Sequence, residues 1–382
     1  MARVVLAMSG GVDRSVAAHL LQQAGHDVIG VFMRHGESHA TACATGTEST
    51  NASELSRTSN PALKVVSSRL GHKQGCCTAS DAADARRVAD RLDIPFYAID
   101  FQEDFRQIID YFVDEYRSAR TPNPCVMCNN WIKFGRLFEY ADGVDAQFVA
   151  TGHYARLISP EHGNGVPALA CGIDASKDQS YVLFGIEPQM LERMMLPVGE
   201  YHKSEIRRIA RGLGLDVAEK RDSQEICFVP DGDHAAFIHD KRGPSESAGE
   251  IVTSDGRVVG QHAGLEAFTI GQRKGLGVAL GEPKFVIRLE RDTHRVVLGD
   301  KQELLRDRLT ADRTNWLTEP PTAGKRCTIK IRYNAPAVPG MVETLSGDRL
   351  RAVFDQPQHA VAPGQAVVCY DGQRVLGGGW IE

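Results

Sequence analysis

A short β-branched run, Arg3–Ala7, leads straight into Ser9-Gly10-Gly11-Val12-Asp13, and apolar residues then recur at helical spacing from Asp13 to Ala24, with Gly25 as the stop. A strand that turns through paired glycines into a helix opens a βαβ unit, and the following segments keep the alternation. Asp27–Met33, Pro95–Ile99 and Gln147–Thr151 read as buried strands. Asp81–Leu92, with Ser80 as its cap, and Trp131–Ala141 read as helices. Between them, Phe101, Phe105, Ile108, Ile109, Phe112, Val113 and Tyr116 mark one face of a strongly amphipathic helix. Strands alternating with helices of this length predict a parallel sheet with right-handed crossovers, a doubly wound α/β domain.

The pattern breaks twice. From Gly36 to Asn60 the chain is Ser, Thr, Ala and Asn without hydrophobic period, a surface insertion placed at 36–70. Helical signals stop after Lys203–Gly214. Short β runs follow at Phe285–Leu289, Arg295–Leu298, Arg326–Ile331, Leu350–Phe354 and Ala366–Tyr370, with turns such as Ser254-Asp255-Gly256 between them. This spacing predicts a small β-barrel or sandwich. The expected domains are 1–218, 219–292 and 293–382.

Composition excludes several classes. Of 382 residues, 42% are apolar and 24% charged, which leaves no room for a disordered or fibrous chain. No apolar run is long enough to cross a bilayer, and the N-terminus lacks a cleavage-site pattern, so a cytoplasmic protein is expected. The net charge of −5 means that any nucleic acid must be held by local basic patches. Nine cysteines, an odd number in a long chain, argue against a disulfide framework and for metal or redox chemistry.

Two motifs carry chemistry. Ser9–Asp13 aims backbone N–H groups and a helix N-terminus at one point, which suits an anion, and Asp13 is placed to hold Mg²⁺ on a polyphosphate. The loop matches neither a Walker loop nor a dinucleotide fingerprint, and a plain β-turn-α connection also uses paired glycines. Thr121-Pro122-Asn123-Pro124-Cys125-Val126-Met127-Cys128-Asn129 presents a C-x-x-C turn between two helices, sized for zinc, a redox pair or an iron–sulfur ligand set. Two small buried residues are the plain alternative. Cys227, in Asp222–Phe228, sits in a turn setting rather than a core strand. Cys76-Cys77 reads as structural, and Cys43 falls in the insertion.

Taken together, these residues resemble known families. Ser9–Asp13 looks like the loop of the N-type ATP pyrophosphatases (PP-loop, adenine nucleotide alpha hydrolase-like), whose usual next residue is Ser; here it is Arg14. The whole chain outside the insertion is similar to the tRNA-specific 2-thiouridylases. The marks are Ser9–Asp13, Phe32-Met33, Gly75-Cys76-Cys77, Asn123–Asn129, Ala150–Tyr154, Lys177–Ser180, Ser223–Val229, Thr269–Gly277, Lys330–Tyr333 and Pro363-Gly364-Gln365. The resemblance implies a PP-loop domain, a small central domain that binds tRNA and a C-terminal β-barrel. It implies ATP-dependent sulfur transfer to C2 of the wobble uridine (U34) of Lys-, Glu- and Gln-type tRNAs. Ala7, Met8, Ser9, Gly10, Gly11, Val12, Asp13, Arg14, Met33 and Gly152 would bind ATP. Cys128 would be the nucleophile and Cys227 the persulfide carrier, the two forming a transient disulfide. Asn123, Pro124 and Cys125 would line the target base. His153, Lys177, Asp178, Gln179, Arg332, Tyr333 and Gln365 would touch tRNA. A sulfur carrier or cysteine desulfurase would deliver the sulfur. Many relatives have Asp where this chain has Cys125, so Cys125, Cys128 and Cys227 are also a candidate ligand set for a 4Fe–4S cluster.

Independently of that resemblance, Lys325, Arg326, Lys330 and Arg332 form a basic stretch, with Lys330 and Arg332 expected on one strand face beside Tyr333. Three other readings compete. A zinc nucleobase deaminase would use His35-Gly36-Glu37 and Pro124–Cys128; zinc content and ATP independence would mark it. An adenylylating enzyme for a small molecule would release pyrophosphate without tRNA. A non-catalytic RNA-binding module would tolerate loss of Cys128 and Cys227.

Overall fold

The computed structural model describes residues 1–34, 79–159, 165–220, 226–229, 232–244 and 246–382. The insertion, Cys43, Gly75-Cys76-Cys77, the His35–Glu37 motif and Asp222–Glu225 lie outside them.

The first domain is the expected doubly wound α/β unit. Strands β1 (Arg3–Met8), β2 (Asp27–Arg34), β3 (Phe96–Asp100), β4 (Phe148–Ala150) and the two-residue β7 (Met194–Met195) pair in the order β3-β2-β1-β4-β7, all in parallel. Sequence dictates this placement: the inner strand β1 is buried after its first residue, as a strand covered on both faces must be. One face is covered by α1 (Val12–Gln23), α2 (Ala79–Leu92) and α6 (Lys203–Gly212), through Val16, Leu21, Val88 and Ile206. The other is covered by α3 (Gln102–Arg117) and a helical run over residues 124–143, through Phe105, Ile108, Ile132 and Leu137. Full burial of each such side chain stabilises by about 1.5–3 kcal/mol relative to exposure.

The run 124–143 corrects the expected turn around the cysteines. It comprises α4 (Pro124–Met127), a π-wound stretch Cys128–Arg136 and α5 (Leu137–Gly143), so Cys125 and Cys128 are helical. Asn123 caps it, its side-chain oxygen accepting from the Val126 N–H, and Pro124 occupies the first helical turn. A second correction concerns Ser80, which lies inside α2 rather than capping it.

The helical signal also resumes where none was expected. Helix α7 (His234–Arg242), capped by Asp233, leads to a four-stranded sheet ordered β10-β11-β8-β9, from β8 (Gly249–Thr253), β9 (Val258–His262), β10 (Phe285–Glu290) and β11 (Arg295–Gly299). The last domain is a closed six-stranded barrel of β12 (Leu305–Trp316), β13 (Lys325–Lys330), β14 (Val338–Leu345), β15 (Arg349–His359), β16 (Ala366–Asp371) and β17 (Arg374–Ile381). Pairing of β12 with β17 completes the circle. A hairpin from the first domain, β5 (Ala155–Ile158) and β6 (Ala168–Cys171), pairs with β17 and extends the same sheet.

This barrel changes the reading of the basic stretch. Lys325 pairs with Asp371 on the adjacent β16 and Arg326 with Asp355 on β15, two strands away, so acids of the barrel neutralise them. Strand β13 ends at Lys330, leaving Arg332 in the turn beyond it rather than on a shared strand face.

Candidate active site

Where the carboxyl ends of the parallel strands meet the barrel, a cavity of about 690 Å³ opens. Its wall includes Met8, Ser9, Gly11, Val12, Asp13, Arg14, Met33 and Gly152 from the strand ends and the glycine loop. Asn123, Pro124, Cys125 and Cys128 join from the 124–143 run, and Cys227, His153, Lys177, Gln179 and Tyr333 from elsewhere. Residues from three parts of the sequence therefore meet in one space, as the crevice at the carboxyl ends of a doubly wound sheet predicts.

The glycine loop is built to present N–H groups. Gly10 takes a left-handed φ of +66°, and Gly11 precedes α1 without a side-chain cap, which leaves the first-turn N–H groups of α1 without helical acceptors. Asp13, in that first turn, accepts from Lys203 Nζ at 2.8 Å on each carboxylate oxygen, and from the Tyr154 hydroxyl at 2.6 Å on Oδ1. On the other side of the loop, Lys220 Nζ donates to the Gly10 carbonyl at 3.1 Å, to Asp81 Oδ1 at 2.6 Å and to Asp84 Oδ2 at 2.7 Å. Burial opposes the Lys220 charge, but the two carboxylates outweigh it and raise its pKa.

His153 is buried and bonded through both ring nitrogens, Nδ1 to Thr151 Oγ1 at 2.7 Å and Nε2 to Lys133 Nζ at 3.4 Å. An ammonium only donates, so Nε2 is the acceptor and Nδ1 carries the proton toward Thr151. Burial first, then the charges of Lys133 and Arg14, hold its pKa well below the usual histidine value.

The remaining expected residues fall outside the cavity wall. Ala7 is fully buried in β1. Asp178 accepts from the Gly172 and Ser180 N–H groups and the Ser180 hydroxyl, a local turn-holding role. Gln365 Nε2 donates to the carbonyls of Thr121 at 3.1 Å and Pro122 at 3.0 Å, and Thr121 N donates to the Pro363 carbonyl at 2.7 Å, so this barrel segment clamps the loop ahead of the cysteine helix. Arg332 donates to the His359 carbonyl at 2.9 Å. Inside the cavity, Gln179 accepts from the Tyr154 N–H, and Tyr333 shares the Lys330 ammonium with Tyr181, both rings centred 5.7 Å away.

Cys128 and Cys227 both line the cavity and are half-buried, while Cys125 is exposed. Among the described residues, no three His, Cys, Asp or Glu side chains gather at the spacing of a metal-ion site. Sequence reasoning missed Lys133, Lys203 and Lys220. Isolated lysines carry no motif, and only the fold brings them to the loop.

A parallel sheet whose first loop and helix face a cation-lined cavity defines a nucleotide-handling α/β domain, here with two β domains attached. Family models agree along the chain: residues 2–231 match the tRNA methyl transferase HUP domain, 235–300 its PRC-barrel domain and 306–381 the aminomethyltransferase beta-barrel domain. Three similar proteins are each called tRNA-specific 2-thiouridylase MnmA. That of Rhodopirellula baltica is 60% identical, covering 100% of this chain and 96% of the relative. That of Solibacter usitatus is 46% identical with 99% of each covered, and that of Carboxydothermus hydrogenoformans 43% identical, with 100% and 97% covered. The chain belongs to the tRNA-specific 2-thiouridylase family, a family of sulfur-transferring enzymes. No helix among the described residues is long and apolar enough to cross a membrane.

Proposed function

We propose that this enzyme acts in the cytoplasm on the wobble uridine (U34) of Lys-, Glu- and Gln-type tRNAs, replacing the C2 oxygen with sulfur at the expense of ATP. The observation that carries this reading is the single cavity that holds the glycine loop, Cys128, Cys227 and the barrel residue Tyr333 together.

The residues present fit the nucleotide. Uncapped N–H groups of α1 and the cations Arg14, Lys203 and Lys220 suit a polyphosphate, with Met8, Val12 and Met33 as apolar wall. Asp13 is a hard oxygen donor fit for Mg²⁺, which supplies charge neutralisation on the phosphates when bound. A uridine C2 oxygen is a poor leaving group; transfer of the adenylyl group to it, with release of pyrophosphate, converts it to an AMP leaving group. Backbone N–H groups of the loop stabilise the charge that develops.

Sulfur then arrives as a persulfide on Cys227, loaded by a sulfur carrier or cysteine desulfurase. Cys128 attacks the Cys227 sulfur, a Cys128–Cys227 disulfide forms, and hydrosulfide leaves toward C2, where it displaces AMP. An external dithiol reduces the disulfide for the next cycle. Asn123, Pro124 and Cys125 border the place of the flipped base, which must leave the anticodon stack to be reached. His153, Lys177, Gln179 and Tyr333 face the RNA, while Asp178, Arg332 and Gln365 hold the backbone that presents it.

Anaerobic thiolation of this tRNA with ATP, Mg²⁺ and a persulfide donor tests the reading. Wild type should transfer sulfur in step with AMP formation, and Cys128→Ser and Cys227→Ser should each lose transfer while retaining ATP and tRNA binding. Full transfer by either variant refutes the relay. Pyrophosphate release with a small molecule and no tRNA refutes the substrate.

A further inference from the structure

Two of the cavity's cations form no ion pair among the described residues. Lys133 Nζ donates to Asn129 Oδ1 at 2.8 Å and meets His153 Nε2 at 3.4 Å, both neutral acceptors. Arg14 rises from the first turn of α1, its Cγ 2.8 Å from where a side chain on Gly152 would begin. Among the described residues no carboxylate pairs with either one, whereas Lys203 has Asp13 and Lys220 has Asp81 and Asp84. Arg14, Lys133, Lys203 and Lys220 all line the same cavity.

Helix winding explains how Lys133 comes to face it. In an α-helix, residues five apart stand about 140° from one another round the axis. The stretch Cys128–Arg136 is π-wound, closing its hydrogen bonds five residues along, and this returns Lys133 to nearly the face that carries Cys128. Asn129, itself buried with its amide donating to the Val182 carbonyl at 2.8 Å, then fixes the ammonium in place. Close to both cations stands His153, kept neutral with its protonated nitrogen turned toward Thr151. Two positive charges near a neutral ring, neither paired with a carboxylate among the described residues, make an environment that favours an anion.

We propose that Arg14 and Lys133, both close to His153, form a phosphate-binding cradle in the cavity wall. The cradle rests on the reading of a nucleotide- and RNA-dependent enzyme and adds Lys133 to its site. It also gives a use to the arginine that stands where the superfamily usually has serine. Phosphate comes to this cavity from two sources, the ATP chain and the RNA backbone beside the target base.

The test measures ATP binding by calorimetry and wobble-uridine tRNA binding across a salt series, for wild type, Lys133→Met, Arg14→Ser and the double variant. Loss of a charged phosphate contact raises the dissociation constant about tenfold or more. Both single variants should weaken the same ligand. Weakened ATP with unchanged tRNA assigns the nucleotide's phosphate; weakened tRNA, with a salt slope smaller by about one, assigns the RNA backbone. Lys133→Arg, which keeps the charge, should stay close to wild type. Lys133→Gln, which keeps a donor for Asn129, carries the same measurement if methionine prevents folding. Wild-type affinity for both ligands in both single variants overturns the cradle and leaves the thiolation reading standing. A wild-type protein that binds neither ATP nor this tRNA overturns both.

Discussion

Replacing Gly10 by alanine isolates what the glycine loop does for the structure. Two costs add. A non-glycine residue held at a φ of +66° is destabilised by roughly 1–2 kcal/mol. The new Cβ would also press into the Asp81 carbonyl oxygen and stand 3.0 Å from Asp84 Cβ, so the first turn of α2 or the loop must shift, which costs about 1–3 kcal/mol as overpacking. Either shift disturbs Lys220, whose ammonium joins Gly10 O, Asp81 and Asp84. The sum is about 2–5 kcal/mol, and at roughly 2–4 °C per kcal/mol for a domain of this size the melting temperature should fall by about 4–20 °C. Gly11→Ala is the control. Its φ is −96° and its new Cβ would meet only Ser9 Oγ, at 3.8 Å, so stability should change by no more than about 0.5 kcal/mol. Calorimetric melting of both variants, with ATP titration of each, reads the difference. A Gly10→Ala protein that melts with wild type, or a Gly11→Ala protein that melts as low as Gly10→Ala, refutes the reasoning.

Lys203→Met removes the ammonium that donates to both Asp13 oxygens. The pair is largely but not fully buried, with side-chain exposures of 10% and 26%, so urea unfolding should show a loss of about 1–3 kcal/mol, between the surface and buried limits. Lys203→Arg should recover most of it, and equal losses in both would deny a charge-dependent role. The histidines give a pH dependence. Burial lowers the pKa of His153, His234 and His262, so between their folded values and about 6.5 the unfolded chain binds more protons than the folded one. Stability therefore rises with pH through this window and is lost on acidification. Below pH 6.5 the slope is at most about 1.4 kcal/mol per pH unit for each histidine. Urea unfolding between pH 5.5 and 7.5 checks the sign, and a flat or falling curve would contradict it.

The parts of the fold that sequence patterning exposed share one physical trait. Strands β1 and β2 are covered on both faces, so they appear as unbroken apolar runs, and the helices between them carry clear 3.6-residue faces. Of the barrel strands, β13, β15 and β16 were legible as short β runs, whereas β12 hid because one of its faces meets solvent and carries paired charges. Leu305–Trp316 reads as polar, with Arg308 and Asp307, and Arg313 and Asp312, in contact along it. Strand β17 hid for another reason: Gly377, Gly378 and Gly379 read as a loop, yet Val367 and Trp316 approach too closely there for a side chain. The cysteine helix was misread although its start signal was present. Asn123-Pro124 is a cap followed by a proline in the first turn, but the same prolines and the C-x-x-C spacing also fit a turn. In the site, the loop and cysteines were visible as motifs, while Lys133, Lys203 and Lys220 depend on contacts made by elements far apart in sequence.

The way the domains join divides the cavity into two halves with different requirements. The loop side, with Ser9–Arg14, Tyr154, Lys203 and Lys220, is built wholly by the first domain and is braced by its own ion pairs. The cysteine side depends on the barrel. Pro363 and Gln365 hold the chain at Thr121 and Pro122, immediately ahead of the cap of the helix bearing Cys125 and Cys128, and Gly364 packs there with a φ of +88°, where a Cβ would meet Thr121 O at 2.8 Å. Strand β17 meanwhile pairs with the β5–β6 hairpin that begins next to Tyr154. The loop side of the cavity thus needs no contact from the β domains, whereas placement of Cys128 relative to Tyr333 does. Under the proposed function this division ties the two halves together, because the barrel that presents Tyr333 also fixes where Cys128 stands.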